Sequence, residues 1–201
     1  MLERLLEADQ ALLLLLNGWH RPFLDMLMYW MTTIWFWTPI LLLVLWFMWK
    51  YYKKRMGLVL AFLALSIVFS DQLSGFIKDK AERFRPSHNT EINHQLHLHV
   101  SKDGEVYKGG SYGFVSSHAA NSFSLALLLF YFFKPVHKNI RWLFFLWAIL
   151  FSFTRIYLGV HYPGDVICGA LVGLGCGSFT LWLYSLARKN ITSQKQTQDG
   201  G

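Results

Sequence analysis

Cysteine is almost missing from this chain of 201 residues. The two present, Cys168 and Cys176, lie in one apolar run, separated along a helix by about 12 Å. They cannot bridge each other, and they read as small buried apolar residues. No set of Cys and His has the spacing of a zinc site, so no metal centre is expected. Charge is scarce too, at 15% of residues against 54% hydrophobic and 17% aromatic, and the apolar residues fall in long runs. That composition excludes an ordinary soluble domain and points to a membrane protein. The apolar run Ala11 to Leu16 is too short to span and no small-residue cleavage site follows it, so it is not read as a signal peptide. The net charge of +7 implies no nucleic-acid partner, because the Lys and Arg collect in loops beside apolar runs, as they do on the cytoplasmic side of a bilayer.

The pattern predicts an all-α integral membrane protein with about five transmembrane helices and an N-terminal interfacial helix over 1–20. The spans run Phe23 to Trp49, Met56 to Ile77, Ser117 to Phe133, Ile140 to Leu158 and Asp165 to Ala187. Together they form one domain, residues 1–189, followed by a polar tail, 190–201, expected to be disordered. Lys50, Lys53, Lys54 and Arg55 follow the first span, Lys134, Lys138 and Arg141 the third, and Arg188, Lys189 and Lys195 the last. An odd number of spans puts all three groups on one side, the cytoplasm. The opposite side receives the N-terminal helix, the polar segment Lys78 to Ser117 and the short connection Gly159 to Gly164. Within that polar segment, Gln95 to Val100 alternates and Asp103-Gly104 offers a turn, so a small outer loop or β-hairpin is expected over the site. In the last span Gly169, Gly173 and Gly177 form a stripe on which another helix can pack closely.

Three clusters on the outer side carry chemistry. Lys78 and Arg85 are seven residues apart, two helical turns, and so are expected to share a face, where two cations can grip one anion. Ser116, Ser117 and His118 open a span, where free N–H groups and the helix dipole favour phosphate, and either serine can cap the helix. Arg155, His161 and Asp165 surround a Pro-Gly turn. Singly, each has a bland reading: Lys78, Arg83 and Arg85 as interfacial anchors, His118 as a histidine at a membrane surface. Their meeting at one membrane face is what carries the argument. His94, His97 and His99 read as exposed loop histidines with no assigned role. Asp71 and Ser74, on the Lys78 face, support Lys78 or bond across helices.

These clusters resemble the three-part signature of the type-2 phosphatidic acid phosphatase superfamily. Lys-x6-Arg-Pro is met by Lys78, Arg85 and Pro86. Pro-Ser-Gly-His is met by Ser116 and His118, with Val115 and Ser117 replacing proline and glycine. Ser-Arg-x5-His-x3-Asp is met by Arg155, His161 and Asp165, with Thr154 in place of serine. The resemblance implies a phosphatase without metal or cofactor, acting on a membrane lipid phosphate or diphosphate: undecaprenyl diphosphate, phosphatidylglycerophosphate, phosphatidic acid or lipid A phosphate. It implies His161 as nucleophile, Asp165 as its orienting partner and His118 as general acid and base. Lys78, Arg85, Arg155, Ser116 and Ser117 would hold the phosphate. A bacterial inner membrane, with the site facing the periplasm or exterior, is the expected location. Two other classes share the pattern: a vanadate haloperoxidase, and a lipid-binding or transport relative that has lost the reaction.

Overall fold

The computed structural model describes residues 1–101 and 103–199, with side chains up to Lys189. It contains helices α1 (Leu2–Asn17), α2 (Pro22–Met31), α3 (Ile34–Tyr52), α4 (Met56–Ala81), α5 (Ser117–Phe133), α6 (Leu143–Tyr157) and α7 (Pro163–Asp199). Three stretches are long and apolar enough to cross a membrane: Ile34–Ala81, Ile140–Tyr157 and Pro163–Lys189. The first is broken at Lys53–Arg55 by a 3-10 turn that separates α3 from α4. Ser117–Phe133 is apolar but shorter.

Helix α5 is the centre of the bundle and packs against α4, α6 and α7. Its sequence explains why. Small residues, Ala119, Ala120, Ser122, Ser124 and Ala126, are buried along it and let neighbouring backbones approach closely. Helix α7 answers with its glycine stripe. A Cβ placed on Gly169 would stand 2.5 Å from the Ser116 carbonyl oxygen, and one on Gly177 3.1 Å from that of Ser124. Gly173 lies against the Ala120 carbonyl in the same way. On its α4 side, α5 is joined by hydroxyl and amide pairs: Ser66 with Ser124 at 2.7 Å, Ser70 with Asn121 at 2.6 Å, and Ser74 with Ser117 at 2.9 Å. Asn121 also donates to Asp71 at 3.2 Å. Asp71 and Ser74 therefore bond across helices, Ser74 reaching the serine that contacts Lys78. One apolar cluster, with Met48, Val59, Leu63, Leu128, Phe132 and Phe144, fills the bundle. A second, with Leu13, Ile92, Ala119, Ile156, Tyr162 and Val166, lies under α1.

Four expectations change. The span expected over Phe23 to Trp49 is two helices, broken at Thr32–Thr33, where both hydroxyls turn back to carbonyls of the preceding turn and Thr33 takes an extended conformation. Pro22 starts α2 at the position where its missing N–H costs nothing. The expected β-hairpin is reduced to a single antiparallel bridge, Val100 to Val106, around a turn at Gly104, and no strand forms among the described residues. The His99 carbonyl accepts from the Tyr107 N–H at 2.8 Å, but the His97 N–H and C=O are spent elsewhere, both bonding the Asn17 side chain at the end of α1, at 2.8 and 2.9 Å. Lys78 and Arg85 do not share a helical face, because α4 ends at Ala81 and Glu82 turns left-handed. The backbone of α7 continues to Asp199, through most of the tail expected to be disordered; Gly200, Gly201 and the side chains from residue 190 lie outside the described residues.

Candidate active site

The third cluster is assembled by the turn between α6 and α7. After α6 ends, the N–H groups of Val160 and His161 both return to the Arg155 carbonyl, at 3.1 and 3.2 Å. Gly159 makes the reversal with φ at +69°, a conformation open to glycine without strain. Pro163 then starts α7 and places Asp165 in its first turn, where the helix dipole favours a carboxylate. His161 and Asp165 are fully buried and Arg155 is 1% exposed.

His161 Nδ1 lies 3.3 Å from Asp165 Oδ2. A carboxylate only accepts, so Nδ1 carries the proton and Nε2 carries the lone pair. Nε2 is buried and has no hydrogen-bond partner among the described residues. Burial, then the positive charges of Arg85, Arg155 and Lys78, hold the His161 pKa well below its ordinary value, so the ring is neutral at pH 7. A neutral, fixed imidazole with a free lone pair among cations is equipped to attack an electron-poor phosphorus.

Those cations arrive from three directions. Arg155 donates from Nη2 to the Tyr107 hydroxyl at 2.7 Å, while its Nε and Nη1 are buried and unpartnered among the described residues. Arg85 lies beyond α4 in extended backbone, its Nε donating to the Tyr112 carbonyl at 3.0 Å. Lys78, in the last turns of α4, reaches Ser117 Oγ at 3.0 Å. The turn at Glu82, rather than helical periodicity, brings Arg85 back beside Lys78, close enough for each to bear on His161. His118, in the first turn of α5, lies in the field of Arg155, His161, Arg85 and Lys78 and packs its ring against Phe151.

The two serines divide. Ser116 is the N-cap of α5: its Oγ faces the Ala119 N–H at 3.5 Å, and its own N–H bonds the Asp165 carbonyl at 2.9 Å. Ser117, one residue on, is the hydroxyl that meets the lysine. Glycines close the site from above. A Cβ on Gly109, whose φ is +70°, would stand 2.8 Å from Arg85 Nη1, and one on Gly113 2.9 Å from Asp165 Oδ2. No three His, Cys, Asp or Glu side chains among the described residues are placed to hold a metal ion.

Sequence reasoning missed four participants. Arg83 bridges Asp165 and Asp9, Tyr107 holds Arg155, and Asn17 ties the end of α1 to the carbonyls of Tyr157 and His97. The identity of Arg83 as one more cation beside Lys78 and Arg85 was the available signal. Asp9, Asn17 and Tyr107 carry none, because their partners are far off in sequence.

The family model of the PAP2 superfamily matches residues 58–189. The chain belongs to the PAP2 superfamily. That match runs from the first turn of α4 to the end of the described side chains, and takes in each of Lys78, Arg85, Ser116, Ser117, His118, Arg155, His161 and Asp165. The lipid A 4'-phosphatase of Bacteroides thetaiotaomicron is 38% identical over 202 residues, covering 98% of this chain and 84% of that protein. The lipid A 4'-phosphatase of Porphyromonas gingivalis is 35% identical over 193 residues, covering 93% and 77%. The crystal structure of Aquifex aeolicus LpxE superposes with a TM-score of 0.61 at 25% identity, covering 86% of this chain and 93% of that one. This chain is accordingly a phosphatase of the PAP2 type and an integral membrane protein. The non-catalytic and haloperoxidase readings are set aside.

Proposed function

We propose that this PAP2 enzyme removes a phosphate from lipid A, or a closely similar glycolipid, through a phosphohistidine on His161. The observation that carries the chemistry is the His161–Asp165 pair, with Nδ1 committed to the carboxylate and Nε2 free among Lys78, Arg85 and Arg155. The likeness to two lipid A 4'-phosphatases over nearly the whole chain supports the choice of lipid.

In the first half-reaction the Nε2 lone pair forms a bond to phosphorus as the bond to the lipid oxygen breaks. His118, protonated in the substrate complex, where the negative charge of the phosphate offsets the surrounding cations, gives that proton to the oxygen, releasing the lipid alcohol. In the second half-reaction His118 takes a proton from water, the hydroxide oxygen bonds phosphorus, and the nitrogen–phosphorus bond breaks to free inorganic phosphate and His161. Positioned proton transfer of this kind is worth about 10²–10⁴-fold. Asp165 stabilises the positive charge that His161 carries while phosphorylated. Lys78, Arg85, Arg155, the Ser117 hydroxyl and the N–H groups opening α5 stabilise charge on the phosphoryl oxygens, the larger share of catalysis in phosphoryl transfer. Arginine suits the task because its planar fork matches two oxygens at once. Ser116 acts as the cap that orients those N–H groups. No step calls for a metal or cofactor.

For topology, α3 to α7 are read as five crossings. The Lys- and Arg-bearing ends at 50–55, 134–141 and 188–189 then lie in the cytoplasm, and the site faces the periplasm of a bacterial inner membrane, where α1 and α2 lie at the interface. A lipid headgroup at that interface meets the site directly, with the bilayer as the second partner.

The test is phosphate release in detergent with EDTA present, from lipid A, undecaprenyl diphosphate, phosphatidylglycerophosphate and phosphatidic acid, beside His161→Ala. Release from lipid A by the native protein, and none by the variant, is expected. Hydrolysis confined to another lipid would replace the substrate, and turnover by His161→Ala above a few per cent would remove His161 as nucleophile.

A further inference from the structure

The Asp165 carboxylate is divided between two tasks. Oδ2 accepts from His161 Nδ1 at 3.3 Å and from the Tyr162 N–H at 3.1 Å. Oδ1 accepts from Arg83 Nη1 at 2.8 Å. The second nitrogen of the same guanidinium, Nη2, donates to Asp9 Oδ2 at 2.8 Å. Asp9 belongs to α1, some 156 positions earlier, and its other oxygen accepts from the Gly164 N–H at 2.7 Å, one of the free donors opening α7. Gly164 is itself required there: a Cβ would stand 2.8 Å from Asp9 Oδ2. Arg83 is further fixed by lying 4.0 Å over the Tyr162 ring. Every bond in this chain is charge-assisted or made to a helix end, and each holds the next atom toward His161.

We propose that Asp9 and Arg83 are positioning residues for the nucleophile: the N-terminal helix reaches through Arg83 to set the orientation and effective charge of Asp165, and so of His161. This rests on the reading of His161 as nucleophile. An arginine held by Asp165 alone would place its full charge against the carboxylate that must stabilise a phosphorylated imidazole. Asp9 shares that charge, leaving Asp165 more of its own for His161. The other groups facing the pair are Lys78 of α4, Arg85 after it, His118 of α5, Arg155 of α6, and Tyr162 and Cys168 beside Asp165. All stay constant when Asp9 or Arg83 is changed. The sign of the effect is therefore set by which partner is lost. Without the Asp9 charge, Arg83 disfavours a protonated His161 more strongly, and its titration moves to lower pH. Without the Arg83 charge, Asp165 favours the proton more strongly, and the titration moves to higher pH.

The experiment compares wild type with Asp9→Asn, Arg83→Gln, the double variant and Arg83→Lys in detergent. Each is measured for phosphate release from lipid A across pH, and for the titration of His161 by nitrogen-15 NMR, its signal assigned by its loss in His161→Asn. Asp9→Asn and Arg83→Gln are expected to lower kcat about tenfold with KM within about twofold. The acid limb and the NMR titration should shift in opposite directions in the two. The double variant should lose less than the product of the single losses, since neutral partners replace both charges, and Arg83→Lys should keep the wild-type direction of charge. Unchanged titrations, shifts of the same sign, or fully additive losses would overturn the proposal. Should either single variant fail to fold, the double variant and Arg83→Lys decide by the same NMR readout. Wild-type protein silent on lipid A would refute the substrate assignment, while the NMR titrations still settle the positioning role.

Discussion

Lys78 Nζ lies 3.0 Å from Ser117 Oγ, so the last turns of α4 and the first turn of α5 meet at a cation and a hydroxyl, while Ser116 beside them turns inward to cap its helix. The two serines should therefore fail in different ways. Ser117→Ala removes a partner of Lys78 and, on the proposed mechanism, a phosphate contact; KM is expected to rise with the unfolding temperature unchanged. Ser116→Ala removes the cap and should cost stability, about 1 kcal/mol, read as a lower unfolding temperature in detergent. The same loss of stability in both variants, with KM unmoved, would contradict the division.

The neutral state of His161 makes stability depend on pH with a definite sign. Burial and the neighbouring cations hold its folded pKa well below the ordinary 6.5. Below that ordinary value the unfolded chain binds a proton that the folded chain refuses, so stability is full above pH of about 6.5 and falls as pH drops toward the folded pKa. Unfolding temperatures from pH 7.5 to 5 should fall more steeply for wild type than for His161→Asn, which has no imidazole to charge. Equal slopes would mean that the ring is protonated in the folded protein. The acid limb of kcat/KM, which reports groups of the free enzyme, should correspondingly lie below pH 6.5.

What the sequence carried plainly was the short-range part of the site. Arg155, His161 and Asp165 lie around one turn whose Gly159 and Pro163 announce it, and Ser116 to His118 open a helix whose start is written in polar residues. The long-range part had no such mark. Asp9 meets Gly164 and Asn17 meets Tyr157 across most of the chain, and nothing in spacing predicts a contact between surfaces that only the folded bundle brings together. The break at Thr32–Thr33 was invisible for another reason: threonines do not lower hydropathy enough to interrupt an apolar run, yet their hydroxyls bond the preceding carbonyls and end α2. Alternation suggested a hairpin over 95–107, and Asn17 took the backbone groups that a second strand would have needed.

The glycines above the site give a prediction with an internal control. Gly113→Ala pushes a methyl group against Asp165 Oδ2 and Arg85 Cγ, and Gly109→Ala forces a left-handed alanine against the Arg85 guanidinium. Gly110, between them, has open space around it. Displacing catalytic groups by an ångström costs on the order of 10²-fold, so kcat/KM should fall by about that factor in the first two variants and stay at the wild-type value in Gly110→Ala. Equal tolerance at all three positions would show that the loop yields without moving Arg85 or Asp165.

Tyr107 supplies the one hydrogen bond that any guanidinium nitrogen of Arg155 makes among the described residues, and it is the outer loop's contribution to the cation cluster. Its ring is set by α2: Tyr29 meets it edge-on at 5.9 Å and stacks on His99 at 3.9 Å. Tyr107→Phe keeps those ring contacts and removes only the hydroxyl. Arg155, 1% exposed, would then hold its charge with no fixed orientation. A hydrogen bond to a charged group is worth about 1.5–3 kcal/mol, so kcat/KM should drop by at least about tenfold, and inhibition by vanadate should weaken in parallel because the same guanidinium would grip both anions. Tyr29→Leu, which loosens the ring without touching the hydroxyl, should produce a smaller loss in the same direction. An unchanged kcat/KM in Tyr107→Phe would mean that burial alone orients Arg155, and the outer loop would then be a cover rather than a part of the site.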